Sequence, residues 1–327
     1  MRARITGSGH YVPNKVVTND DLGKLMSTTD EWIQQRTGIK ERHFVDAESV
    51  QASDLALPAA KMALEQAKLE PKDIDAIIFA TLSPDAHFPG SACFLQTKLG
   101  CGQIAALDVR NQCSGFLYAL SIADAWIRAG TFRNILIAGA EVHYFGLDMT
   151  DRGRDVAVLF GDGAGCVVLQ PTDDDDRGVL TCGVHADGVG AKELWMELPA
   201  SRIRADQVAE GQHYPRMNGK AVFRWAVEKM PEAALTALGK AGKKVEDVDL
   251  FIPHQANMRI NQLVAERLGV PADRVVHNIQ RYGNTTAATI PIGISESWRE
   301  GKIKEGSTVL MTAFGAGFTW GAALVRF

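Results

Sequence analysis

Three side chains in this sequence have the types and settings that acyl chemistry needs. Cys113 lies in the run from Asp108 to Phe116, between two patterns. Before it, Ile104 to Val109 reads as a short buried strand. After it, Phe116, Leu117, Leu120, Ala123, Trp126 and Ile127 recur at helical spacing. A cysteine at such a junction meets the first amides of a helix, and those amides and the helix dipole favour the thiolate, the nucleophilic form. His254 directly follows the apolar run Phe251-Ile252-Pro253 and opens a helix predicted over 258–268. Asn284 lies in a glycine-containing turn, Tyr282-Gly283-Asn284-Thr285, ahead of a small-residue helix. Taken singly, each has an ordinary structural explanation: a small buried hydrophobe, a hydrogen-bonded core histidine, a turn asparagine. Taken together, all three stand where a loop leaves a strand or turn and enters a helix, the places where loops from separate elements converge.

The chain that must position them has 327 residues, enough for two domains or one large α/β unit. Hydrophobic content of 46% and charged content of 23% are ordinary for a soluble globular protein. A net charge of -4 argues against a general nucleic-acid binder, so any basic patch must be local and serve a specific acidic partner. The 5 cysteines, at 93, 101, 113, 166 and 182, form no CxxC pair, which excludes zinc-ribbon spacing and fits a reducing compartment better than a disulfide framework. The segment Met1 to His10 has no apolar signal region, and no apolar run approaches a membrane span. A soluble, cytoplasmic protein without a metal is expected.

The sequence repeats itself. Ala59, Ala60, Ala63, Leu64 and Ala67 align with Ala233, Ala234, Ala237, Leu238 and Ala241 at an offset of 233 − 59 = 174. The same offset carries Asp73 to Ile78 onto Asp247 to Ile252, so both copies read as helix, charged turn and buried strand. Each half closes on a glycine-rich and then apolar stretch, Phe160 to Leu169 and Phe314 to Val325. The polar run Pro171 to Gly178 separates them. Domains at 1–172 and 173–327 are expected, with mixed or largely parallel sheets covered by helices. A site is expected where the halves meet.

These segments resemble β-ketoacyl-[acyl-carrier-protein] synthase III, a condensing enzyme of the thiolase superfamily, from Ile5 to Phe327. The most specific matches are Asp30 to Ile39, Cys113 to Phe116, Phe160 to Gly165, His254 to Asn257 and Gly283 to Thr285. The resemblance implies a five-layered αβαβα thiolase-like fold built from two duplicated halves, in agreement with the repeat. It implies a ping-pong reaction without a cofactor. Cys113 takes an acyl group from acyl-CoA; malonyl on acyl carrier protein then loses CO2, and the carbanion attacks the acyl-enzyme. The backbone N–H groups of Cys113 and Ala316 would bind the oxyanion, although the family usually has glycine where Ala316 stands. His254 and Asn284 would donate hydrogen bonds to the enolate.

By the same resemblance, Trp32 and Arg152 sandwich the adenine of CoA, Thr28 and Arg36 add nucleotide contacts, and Met217, Phe223, Ala256 and Asn257 line the pantetheine tunnel. Lys220 departs from an asparagine of some relatives and is left unassigned. Arg224, on a helix predicted over 220–229, and Arg259 match docking positions for the acidic carrier protein, with Arg267 a weaker candidate beside Glu266. Phe88 matches a residue that crosses a homodimer interface and closes the partner's acyl pocket.

Two features depart from the commonest members. Gln112 precedes the nucleophile where many fatty-acid starters have alanine, a pattern found in relatives of secondary metabolism, alkylquinolone synthesis included. The segment Leu198 to Pro215, with Arg202 and Arg204, is longer and more charged. Other readings are a secondary-metabolism or polyketide-type synthase and an acyltransferase using the same acyl-cysteine. A cysteine hydrolase shares the order Cys, His, Asn, but the duplication and the missing Cys-Gly-Ser-Cys-Trp-type signature argue against it. A non-catalytic relative would typically lack the nucleophile.

Overall fold

The computed structural model describes residues 1–199 and 208–327. Two sheets organise them. The first has the order β1-β7-β6-β4-β5, built from Arg2–Tyr11 (β1), Gly163–Thr172 (β7), Ile135–Glu141 (β6), Ala76–Ala80 (β4) and Ala105–Val109 (β5). The second has the order β11-β12-β13-β8, from Leu250–Pro253 (β11), Thr308–Gly315 (β12), Thr319–Arg326 (β13) and Gly178–Ala186 (β8). In the first, β4 runs parallel to β6, β6 antiparallel to β7, and β7 antiparallel to β1. In the second, β11 runs parallel to β12, β12 antiparallel to β13, and β13 antiparallel to β8. The pairing pattern is therefore the same in both sheets. They differ at one edge: β5 extends the first sheet beside β4, whereas among the described residues only an isolated bridge, Phe251 with Val275, stands beside β11. The chain passes from the first sheet to the second across Asp173–Arg177, between the end of β7 and the start of β8.

Helices fill three layers around the sheets. Ala52–Ala67 (α3) and Ser91–Leu99 (α4) cover the outer face of the first, in a cluster with Ile77 and Phe79. Gly219–Lys240 (α7) and Met258–Leu268 (α8) cover the outer face of the second, around Phe251 and Leu310. Gly115–Arg128 (α5) and Thr289–Arg299 (α10) lie between the sheets, where Phe116, Leu120, Ile290 and Ile294 meet Ile78 and Met311. This gives the αβαβα order. Helices on both faces explain why β4, and β6 up to Glu141, are apolar without alternation, and why both are buried along their whole length. The alanines of α3 let it approach closely: a Cβ on Gly7 of β1 would come within 2.0 Å of the Ala63 carbonyl oxygen. The helix expected over 220–229 is longer, because its apolar face continues through Ala233, Ala234 and Leu238.

The smaller elements form a satellite over one end of the sheets. Lys15–Thr18 (β2) pairs with Glu41–Phe44 (β3), and Asn19–Gly23 (α1), Asp30–Thr37 (α2), Arg154–Ala157 (α6) and Ile279–Tyr282 (α9) pack around them. Its core holds Leu22, Ile33, Phe44, Val158 and Ile279. Leu194–Trp195 (β9) pairs with Arg216–Met217 (β10). Of the charged segment 198–215, residues 200–207, with Arg202 and Arg204, lie outside the described residues. Among the described residues no helix is long and apolar enough to cross a membrane.

Candidate active site

After β5 the chain bends through a 3-10 turn, Gln112–Ser114, and enters α5 at Gly115. The bend is sharp because Gln112 has φ 42, a left-handed conformation that costs a non-glycine residue about 1–2 kcal/mol. The second half closes on this elbow. A Cβ on Gly315, the last residue of β12, would lie 2.5 Å from Cys113 Cβ and 2.9 Å from its Sγ, so only glycine fits there. Ser114 Oγ lies 2.7 Å from Thr319 Oγ1, which lies 2.9 Å from the Ala316 carbonyl oxygen, and these contacts pin the turn after β12 to the elbow. Ala316 is not among the residues of positive φ, so alanine takes the place of glycine there without backbone strain.

The expected thiolate is not the resting form. Burial pushes the Cys113 thiol up to about 12, and the charge of Glu141 adds to the effect. The nearby backbone N–H groups of Cys113 and Ala316 favour the thiolate, pull the other way and lose. Desolvation outweighs the helix start, because α5 begins inside the protein and not at its surface.

His254 stands at the end of β11, its N–H donating to the Thr312 carbonyl at 2.8 Å. Its Nδ1 is 2.7 Å from Thr289 Oγ1, while Nε2 is buried with no partner. Burial lowers this imidazole to about 3, so the ring is neutral. Asn284 is held by its backbone: its N–H donates to the Leu159 carbonyl at 2.8 Å and its carbonyl accepts from Gly161 at 3.1 Å. Gly283 before it has φ 64, which a side chain would resist. Asn284 Oδ1 accepts from the Thr286 backbone N–H at 2.9 Å. A backbone N–H can only donate, so the amide is oriented, and its NH2 makes no hydrogen bond among the described residues.

A second 3-10 turn, Thr286–Ala288, follows and leads into α10. It packs against the Cys113 elbow, and a Cβ on Gly115 would lie 3.5 Å from Ala287 Cβ. The elements carrying Cys113, His254 and Asn284 thus meet at one place between the sheets.

Sequence reasoning missed two buried residues here. Glu141 ends β6 and accepts from Thr81 Oγ1 at 3.0 Å, from Ser83 Oγ at 2.6 Å, and from the backbone N–H groups of Leu82 and Ser83. Burial raises its carboxyl to about 7. His143 lies with its Nε2 2.9 Å from Thr286 Oγ1. The available signal was a charged residue and a histidine ending an otherwise apolar strand, Ile135 to Val142.

The positions matched to CoA contacts lie on the satellite and near it. Thr28 Oγ1 is buried without a partner. The ring of Trp32 is faced by Arg36 at 4.3 Å and by Arg154 at 4.7 Å. Arg152 is turned elsewhere: it pairs with Asp148 at 2.5 Å and Glu210 at 2.9 Å and lies 5.7 Å from the ring of Tyr214. The two arginines against the Trp32 ring are Arg36 and Arg154, the latter not singled out by the sequence reading. An open cleft of about 570 Å³ runs from Gly23–Ser27 to Thr150–Arg152; it includes Arg152 and none of Cys113, His254 or Asn284.

Asn257 caps α8 by accepting from the Arg259 N–H at 2.9 Å and donates to the Arg36 carbonyl at 2.8 Å, tying α8 to the satellite. Arg259 stacks 5.8 Å over Phe223. Met217 packs against the satellite core, and Ala256 is half-buried. Arg224 and Lys220 are exposed on α7, whereas Arg267 is tied to the Val227 carbonyl at 2.6 Å. Phe88, in the loop between β4 and α4, is 80% exposed.

Comparison with known proteins agrees with this architecture. The family model for 3-oxoacyl-[acyl-carrier-protein] synthase III matches residues 107–188, and that for its C-terminal region matches residues 238–327. β-Ketoacyl-[acyl-carrier-protein] synthase III of Aquifex aeolicus is 45% identical over 327 residues, covering 100% of both chains. That of Caldanaerobacter subterraneus is 44% identical, covering 100% of this chain and 98% of its own. The crystal structure of the synthase III of Thermus thermophilus superposes with a TM-score of 0.92 at 42% identity, covering 99% of each chain. The priming β-ketosynthase of the R1128 polyketide pathway superposes at 0.91 with 33% identity, covering 99% of this chain and 96% of its own. With relatives this similar aligned from end to end, the chain belongs to the β-ketoacyl-[acyl-carrier-protein] synthase III family.

Proposed function

We propose that this protein condenses an acyl-CoA primer with malonyl-acyl carrier protein, the initiating step of fatty acid synthesis, through an acyl-Cys113 intermediate. In the first half-reaction the Cys113 sulfur attacks the thioester carbonyl, its proton passes to the departing CoA sulfur, and the N–H groups of Cys113 and Ala316 hold the oxyanion. In the second, malonyl loses CO2, and the electron pair moves into an enolate whose oxygen accepts from Asn284 Nδ2 and His254 Nε2. The enolate carbon attacks the acyl-enzyme, the Cys113–acyl bond breaks, and the sulfur takes up a proton. His254 acts as a neutral donor from Nε2 in the tautomer in which the single Thr289 hydroxyl proton goes to Nδ1, the Thr286 carbonyl then being held by the Thr289 N–H alone. No step calls for a metal or an organic cofactor.

One observation carries this reading: the N–H groups of Cys113 and Ala316 favour negative charge at the Cys113 sulfur, while His254 Nε2 and the Asn284 NH2 have no hydrogen-bond partner among the described residues. Trp32, with Arg36 and Arg154 against it, suits an adenine; Thr28 and Arg152 suit further nucleotide contacts, and Met217, Phe223, Ala256 and Asn257 suit the pantetheine path. Arg224 and Arg259 offer exposed cations to an acidic carrier. A homodimer explains why Phe88 stands 80% exposed: its ring would close the partner's acyl pocket. The halves 1–172 and 173–327 act as one catalytic unit. The free cysteines suit a reducing cytoplasm. The fatty-acid reading stands ahead of a polyketide-type role because identity is 44–45% to the synthase III proteins and 33% to the polyketide enzyme.

Intact-mass measurement tests the reading. Acyl-CoAs of graded chain length should leave an acyl adduct that Cys113→Ala abolishes, and added malonyl carrier protein should convert it to a ketoacyl product. Absence of an adduct with every chain length defeats the CoA-primed mechanism. Turnover without malonyl carrier would make the protein a hydrolase.

A further inference from the structure

We infer that Thr286, locked in place by His143, is the shared positioning residue of the condensation half-reaction. The inference rests on the reading that Asn284 and His254 act on the malonyl thioester. Thr286 bears on both through its backbone, on Asn284 directly and on His254 by way of Thr289. Its N–H donates to Asn284 Oδ1 at 2.9 Å and so decides which end of the amide is free. Its carbonyl accepts the Thr289 N–H, closing the turn, and lies 3.0 Å from Thr289 Oγ1, the atom 2.7 Å from His254 Nδ1. The N–H on one side of its α-carbon therefore orients the Asn284 amide, and the turn closed by the carbonyl on the other side places the Thr289 hydroxyl that His254 Nδ1 meets.

That α-carbon has a conformation which threonine does not choose by itself. Its φ is 49, and a β-branched residue in the left-handed region is an outlier that the surroundings must impose. The side chain supplies the restraint. Thr286 Oγ1 lies 2.9 Å from His143 Nε2, its one side-chain hydrogen bond among the described residues. His143 is fixed in turn: its N–H donates to Asp162 Oδ1 at 2.6 Å, and its ring lies 4.6 Å from that of Phe160. Burial keeps the imidazole neutral down to about 3, so protonation does not break the contact at working pH. If Thr286 relaxed to negative φ, its N–H would leave Oδ1. The Asn284 amide could then turn and present oxygen, not NH2, to the developing enolate, an arrangement that repels charge.

The test separates the half-reactions. With wild-type protein as reference, acyl-Cys113 formation is followed by intact mass and malonyl-carrier decarboxylation by CO2 release. His143→Leu should lower decarboxylation about tenfold while acylation stays within about twofold, because only the donors lose their orientation. Thr286→Gly provides the rescue: glycine takes positive φ unaided, so His143→Leu added to it should cost less than about twofold more. Equal loss in both half-reactions, unchanged decarboxylation in His143→Leu, or multiplying losses in the double variant would each overturn the inference. A crystal structure of His143→Leu judges positioning without turnover. Thr286 leaving positive φ and the Asn284 Oδ1 contact supports it; both being retained overturns it. If the wild type neither acylates nor decarboxylates, the proposed function fails instead, and that structure still decides the positioning.

Discussion

The two elbows that meet between the sheets are copies of each other with different fates. Gln112–Ser114 and Thr286–Ala288 are both 3-10 turns, and both lead into a central helix. Their first residues are separated by 286 − 112 = 174, the offset that aligns the alanine-rich helices. Gln112 has φ 42 and Thr286 has φ 49, so the unusual backbone is duplicated too. At the station of Cys113 the second elbow has Ala287. The first elbow is closed mainly by backbone pressed against it, Gly315 and the Ala316 N–H, with one side-chain contact, Ser114 to Thr319, beside the nucleophile. The second is held by side chains, His143, Asn284 and Thr289. Duplication supplied one strained turn twice. One copy became a nucleophile's seat, and the other orients groups around it.

Substitutions can break or sharpen that contrast. Asn284→Asp should have the largest effect, lowering condensation by about 10²–10³, since a carboxylate replaces a preorganised donor, while acylation changes only a few-fold. Equal losses in single-turnover assays of both half-reactions would erase the division between elbows. The Cys113 elbow has its own signature in pH. Because burial raises the thiol to about 12, the thiolate fraction of ligand-free protein grows with pH well past the ordinary cysteine range. Iodoacetamide labelling of Cys113, read by peptide mass spectrometry, should therefore rise about tenfold per pH unit from neutrality through pH ~9.5. A plateau near pH ~8.5 would mean that the N–H groups win over desolvation.

Gly315→Ala should slow acylation about fivefold and destabilise the fold by about 1–3 kcal/mol, because the new methyl overlaps Cys113 Cβ. An unchanged acylation rate would show that the elbow gives way freely. Gln112→Gly should have the smallest effect, a stabilisation of about 0.5 kcal/mol in denaturant unfolding, as relief of left-handed strain exceeds the added freedom of the unfolded chain. A loss of stability there would mean that the Gln112 side chain contributes more than its backbone costs.

Much of this was legible in the residues. The repeat found the paired sheets because buried strands between two helical layers must be continuously apolar, and Ile77 and Phe251 keep that signature at the shared offset. Cys113, His254 and Asn284 could be singled out because each interrupts an apolar or glycine pattern ahead of a helix. Glu141 and His143 escaped notice because their meaning depends on partners 58–60 and 143 positions away, Thr81, Ser83 and Thr286. Arg154 escaped notice because sequence spacing does not say which arginine meets a ring and which an acid; Arg154 faces Trp32, and Asp148 and Glu210 hold Arg152.

The sequence by itself determined the αβαβα architecture, the duplication and the order of the reactive side chains, because periodicity and local turn chemistry are written in neighbouring residues. Only the tertiary structure decided the ionisation of Cys113, the free ends of His254 and Asn284, and the backbone shared by the two donors. Those depend on burial and on contacts between halves, and desolvation and hydrogen bonding at such distances leave no mark on local spacing.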